Sequence, residues 1–212
     1  DFEPFRDGEF VESELGMIPK GWRTQNILEF AHLFSGGTPK TSVPEFWDGP
    51  IPWLAAKDVT ANQGRFALTT ERTITELGVE KSNAKILPKN TMVITARGTV
   101  GAYCLLGKKM AINQSTYGLK ARKEEGDYYL YFTIANHINL LKQHSYGTVF
   151  DTITTKTFKS MDIIVPPDYV LEAFHRTVKP LMEKLLSNQR ENISLSTLRD
   201  TLLPKLMSGE IR

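Results

Sequence analysis

An α+β fold is predicted for this chain, a β-rich globular domain followed by a long coiled-coil-like C-terminal helix, and three observations predict it. Residues 21–166 interleave short apolar runs such as TMVITA, AYCLL, YGLKA and MDIIVP with Gly, Pro and Asn, the punctuation of short strands. Beyond Pro166 and Pro167, glycine is absent until Gly209 and a heptad-like apolar pattern takes over, the signature of a helix that packs along another helix. Of the 212 residues, 41% are hydrophobic and 24% charged, a balance that favours a folded chain over a disordered or collagen-like one.

The elements follow in order. Residues 1–20 form an acidic N-terminal segment, with Asp1, Glu3, Asp7, Glu9, Glu12 and Glu14 against Arg6 and Lys20. That segment carries −4, so the rest of a chain of net charge +2 stands at +6. Residues 21–167 form the β-rich domain, with a short helix expected over 27–34. A longer helix is expected at about 127–143, where Leu130, Ile134, Ile138 and Leu141 recur at helical spacing. Residues 168–212 form the helical arm.

With Leu171 as the first heptad position, the seam of the arm reads Leu171, Phe174, Val178, Leu181, Leu185, Asn188, Asn192, Leu195, Arg199, Leu202 and Leu206. Eight of these eleven are apolar, enough to imply a helical partner, and Asn188 and Asn192 are suited to fixing its register. Met182, Leu186, Ile193 and Leu203 widen the apolar face. Packing back on the chain's own domain is the alternative. Pro180 is expected to kink the rod and Pro204 to end it, which leaves a helix of roughly 50 Å at 1.5 Å per residue.

Charge narrows the partner. Residues 81–123 contain Lys81, Lys85, Lys89, Arg97, Lys108, Lys109, Lys120, Arg122 and Lys123 and no acidic residue. A basic tract interleaved with hydrogen-bonding residues is what a nucleic-acid face needs, although a solvated surface could carry the same bias. No apolar run is long enough to span a membrane and the N-terminus lacks the form of a secretory signal, so a cytoplasmic location is expected. The first residue is Asp, so the numbering is expected to begin inside a longer product or after trimming. The lone Cys104, in an apolar run, reads as a buried small hydrophobe.

Particular side chains suit double-stranded DNA. Arg97, followed by Gly98 and Gly101, sits where a loop with close backbone approach could present a guanidinium to guanine or phosphate, or form a structural salt bridge. Asn113 and Gln114 could read adenine through their amides or serve a strand-end turn. In SGGTPK, Gly36 and Gly37 allow a tight loop from which Thr38, Lys40 and Thr41 could donate to phosphates. Lys57, Lys108 and Lys109 read as backbone contacts or solvated lysines. Tyr146, Gly147 and Thr148 form a polar loop suited to a groove. Trp22, Trp47 and Trp53, beside glycine and proline, read as core or loop anchors.

Catalytic signatures are not apparent in the sequence. An amino-methyltransferase needs Asn or Asp before Pro-Pro-aromatic, and VPPDY fails at both ends. There is no GKS or GKT phosphate loop, and GTVG is too short for a dinucleotide fingerprint. His32, His137, His144 and His175 are scattered, and no acidic constellation suggests a metal nuclease. The expectation is no catalytic, metal or cofactor site. The competing classes are a nucleic-acid-modifying enzyme of unrecognised type and a helical protein-interaction adaptor without its own DNA specificity.

Four segments resemble the specificity subunit of type I restriction-modification systems: DFEPFRDGEFVESELGMIPKGW, SGGTPKTSVPEFWDGPIPWLAAKD, ITARGTVGAYCLLGKKMAINQS and LSTLRDTLLPKLMSGEIR. The first is similar to the join between the family's central conserved region and its second target recognition domain, the last to its terminal conserved helix. The family usually has two recognition domains and two conserved helices. This chain has one of each, so the resemblance implies a C-terminal half or a single-domain version. It further implies a non-catalytic subunit that reads a half-site of a bipartite target and docks a methyltransferase subunit, with a restriction/translocase subunit joining. S-adenosylmethionine, ATP and Mg are then expected on those partners and no cofactor here. A second copy could pair through the helix to read an inverted repeat.

Overall fold

In the computed structural model, residues 8–144 and 152–211 are described. The expected polar loop with Tyr146, Gly147 and Thr148 falls outside them. The chain divides into two compact units, residues 1–176 and 177–212.

In the first unit, β1 (Phe10–Ser13) and β2 (Gly16–Pro19) form an antiparallel hairpin. β3 (Arg23–Asn26) leads into α1 (Ile27–Phe30), where the Asn26 side chain accepts from the Leu28 N–H. The chain then extends at once into β4 (Ala31–Ser35). The helix expected over 27–34 is therefore one turn long, because Ala31 to Ser35 pair edge-on with another strand and the ladder outcompetes the local helical preference.

β5 (Trp47–Leu54), α2 (Ala56–Ala61), β6 (Phe66–Ala67), β7 (Arg72–Ile74), α3 (Glu76–Glu80) and β8 (Ile86–Leu87) follow. Next come β9 (Met92–Thr95), β10 (Tyr103–Leu106), β11 (Met110–Ile112) and β12 (Thr116–Ala121), then α4 (Asp127–His144), α5 (Thr155–Lys159) and β13 (Asp162–Val165). α4 lies where the helical spacing places it.

Two sheets make the core: a five-stranded one in the order β4-β12-β9-β10-β6 and a four-stranded one in the order β7-β5-β11-β8. Strand side chains alternate between faces, and the alternation decides what meets what. Val93, Cys104 and Leu106 of the first sheet pack with Leu54, Leu87, Met110 and Ile112 of the second in one buried cluster. Ala111, on the opposite face of β11, joins Trp47, Trp53, Ile74 and Ala84. Both faces of these strands are buried, which is why they read as continuous apolar runs such as AYCLL. Burial, then the Asp58 carboxylate, push the Cys104 thiol far up, so it packs as an inert hydrophobe.

α6 (Asp168–Met207) begins after the two prolines, with the Pro167 carbonyl accepting from the Val170 and Leu171 N–H groups, and it crosses from the first unit into the second. Pro204 does not end it. Both Pro180 and Pro204 lie inside the helix, and the Pro204 carbonyl accepts from the Ser208 N–H at 2.9 Å. A proline carbonyl is as good an acceptor as any, and only the N–H is lost.

The seam positions differ along the rod. Leu171 is buried and Phe174 and Val178 are half-buried, whereas Leu181, Leu185, Asn188, Asn192, Leu195, Leu202 and Leu206 are exposed. Met182 and Leu186, beside the seam, are buried. No helix among the described residues is long and apolar enough to cross a membrane.

Candidate nucleic-acid interface

Strand register brings separate sequence segments to one rim of the first unit. β12 is antiparallel to β4 and β9, with Tyr117 opposite Ser35 and Thr116 opposite Thr95. β10 is antiparallel to β9, with Tyr103 opposite Ile94. The end of β4, the end of β9 and the starts of β10 and β12 therefore share an edge. The second sheet joins it, because β5 and β11 run parallel and finish together, Leu54 opposite Ile112. Connections 36–43, 96–102 and 113–115 leave this rim, α2 starts from it after Ala55, and the chain enters β7 and β8 beside it.

The first of these is pinned at several points. The Gly37 N–H donates to the Ile112 carbonyl at 3.0 Å, the Trp53 indole N–H to the Gly37 carbonyl at 2.9 Å, and the Trp47 indole N–H to the Lys40 carbonyl at 3.1 Å. The tryptophans thus anchor the loop. Thr38 is half-buried, while Lys40 and Thr41 are exposed. At Gly37 an added Cβ would overlap the Asn83–Ala84 peptide, so only glycine lets that backbone come so close.

The Arg97 loop is organised by a residue that sequence reasoning missed. Thr95, fully buried, donates its hydroxyl to the Thr99 carbonyl and accepts from the Ala102 N–H at 2.9 Å. Gly98 and Gly101 have φ of 76° and 75°, a region that disfavours a Cβ. At Gly98 a Cβ would meet nothing within 4 Å of the chain itself; the backbone angle is what requires glycine there. Arg97 stands exposed at the tip, and the Ala96 N–H donates to the Ser115 carbonyl at 2.8 Å, joining this loop to the next.

In that next loop Asn113 holds the turn. Its Oδ1 accepts from the Ser115 N–H at 3.0 Å and its carbonyl from the buried Thr116 hydroxyl at 2.8 Å. Gln114 projects exposed between them. The Asn113 N–H donates to the Leu54 carbonyl, which ties in Lys57 just beyond. Lys57 is ion-paired with Glu71, and both side chains are exposed.

The rim does not gather the whole basic tract. Lys108 and Lys109 follow β10, whose far end lies against the start of β9 with Leu105 opposite Met92, so a strand length separates them from Arg97. Lys120 reaches the buried Asp127, Lys123 pairs with Asp168 at 2.7 Å, and Arg122 donates to the carbonyls of Glu29 and Leu28 at 2.8 and 3.0 Å. These three cations serve the fold. Burial pushes the Asp127 carboxyl up to about 6, against the pull of Lys120. No group of three or more metal-ligating side chains is found among the described residues.

The fold is similar to part of solved S subunits of type I restriction-modification systems. The HsdS subunit from Thermoanaerobacter tengcongensis superposes with a TM-score of 0.59 at 18% identity, over 95% of this chain and 48% of that one. An S subunit from M. genitalium gives 0.59 at 17%, over 88% and 46%. Sequence agrees with fold: residues 19–195 match the type I restriction modification DNA specificity domain, and the chain belongs to that family. It is 29% identical over 197 residues to the HindI specificity subunit of Haemophilus influenzae, covering 92% of this chain and 42% of the relative. With the MjaIX specificity subunit of Methanocaldococcus jannaschii it shares 28% over 185 residues, 86% and 43%. The chain thus spans less than half the length of these relatives.

Proposed function

We propose that this chain is a non-catalytic DNA-recognition unit of a type I restriction-modification complex. The rim of residues 21–167 reads one half-site of a bipartite duplex target. Residues 168–212 serve as a spacer and docking arm for the methyltransferase subunit, and residues 1–20 join from a preceding conserved region. One observation carries this reading: the segments bearing Thr38 and Lys40, Arg97, and Asn113 and Gln114 leave one rim, where backbone hydrogen bonds join Ala96 to Ser115 and Gly37 to Ile112, the strand residue just before Asn113. Hydroxyl, guanidinium and amide donors on one pre-organised edge suit phosphates and base edges in a major groove.

The exposed leucines of α6, Leu195 and Leu202 among them, suit a helical partner, either that methyltransferase subunit or a second copy of this chain supplying the other half-site. Catalysis, with S-adenosylmethionine, ATP and Mg, resides on the methyltransferase and restriction/translocase subunits, in the cytoplasm. The test is co-expression with the methyltransferase subunit encoded beside it, followed by single-molecule mapping of methylated adenines. One gapped motif is expected. Arg97→Ala and Gln114→Ala should relax or abolish it at particular positions, each costing about 1–3 kcal/mol of discrimination. A stable complex that methylates nothing would make the chain an adaptor instead.

A further inference from the structure

The guanidinium carbon of Arg72 lies 3.5 Å from the ring centroid of Trp47, close for a cation–π contact. The indole beneath it is immobile. Trp47 is 6% exposed, its N–H is engaged by the Lys40 carbonyl, and the Trp53 ring abuts it at 5.2 Å and 90°. Arg72 itself is exposed. Among the described residues it has no carboxylate within ion-pair distance, and the neighbouring Glu71 is already paired with Lys57. A cation held over a ring by its π face keeps its N–H donors for an acceptor, with less rotamer freedom to lose on binding.

Register puts this cation at the rim. Arg72 opens β7 and sits opposite Trp53 on β5, one residue before Leu54, whose carbonyl holds Asn113. The same indole that carries Arg72 also holds the loop presenting Thr38, Lys40 and Thr41. Arg72 belongs to a strand start held against the domain surface, unlike Arg97 at a loop tip, and that position suits a strand's phosphates better than base edges on a groove floor.

We propose that Arg72, held on the Trp47 ring, is a phosphate contact of the DNA face, which extends that face beyond the basic tract of residues 81–123. The proposal rests on the rim being the duplex-binding surface. Its test is binding of the full chain to a fluorescent mixed-sequence duplex, measured by anisotropy between about 50 and 200 mM salt. For Arg72→Gln the expected results are a salt slope shallower by about one and binding weaker by roughly tenfold or more, the scale of one charge-assisted contact, alike on every duplex. Arg72→Lys should keep the slope. A slope and affinity unchanged in Arg72→Gln, or a loss confined to one sequence, would overturn the phosphate assignment while leaving the rim intact. A wild-type chain that binds no duplex would remove the rim reading and this one together.

Discussion

A Gly36→Ala chain is expected to lose roughly 3 kcal/mol of stability, the upper range for forcing extra volume into a packed site. A Cβ at residue 36 would overlap the Asn113 carbonyl oxygen and lie 2.5 Å from the Ile112 oxygen. Both obstacles are backbone, so no rotamer change relieves them. The strand ends carrying the 36–43 and 113–115 loops must separate, and binding should fall with stability. Urea unfolding midpoints of Gly36→Ala and of Ser35→Ala, an exposed neighbour, provide the comparison. Equal midpoints would mean that the two loops are not in contact as described.

The second large effect depends on pH. Asp127 is 2% exposed, its Oδ1 has no hydrogen-bond partner, and burial raises its carboxyl from 3.8 to about 6 despite Lys120. A folded-state value above the unfolded one means that the native state binds the proton more tightly. Its contribution to stability is therefore complete below about pH 4 and lost as pH rises through 6. At about 1.4 kcal/mol per pKa unit the loss approaches ~3 kcal/mol. Asp127→Asn does not titrate, so its stability relative to wild type should rise across that interval and level off above it. Urea titrations from pH 4 to 7 measure the difference. A relative stability that falls instead would show that attraction to Lys120 outweighs burial.

Much of the fold was legible because apolar runs and turn residues mark strands locally, and because a rod of helix announces itself by period. The α4 helix and the start of α6 after Pro166 and Pro167 followed from those signals. The candidate site was legible in parts: SGG and NQS were visible as loops, but only strand register shows that they touch. Linear charge density was a poorer guide. It grouped Lys120, Arg122 and Lys123 with Arg97, although the fold commits those three to Asp127, Asp168 and two backbone carbonyls. It also passed over Arg72, whose partner is a ring twenty-five residues earlier. Thr95 was illegible for a related reason, since a buried hydroxyl that folds a loop looks like any strand threonine.

The perpendicular pair of Trp47 and Trp53, with its two N–H groups committed to the Gly37 and Lys40 carbonyls, gives the molecule an optical handle on its own rim. Two indoles so close couple their strong electronic transitions, so the far-ultraviolet circular dichroism of the chain should carry a couplet of opposite-signed bands from this pair. Anything that shifts the loop by a fraction of an ångström, an oligonucleotide included, changes that spectrum without a label.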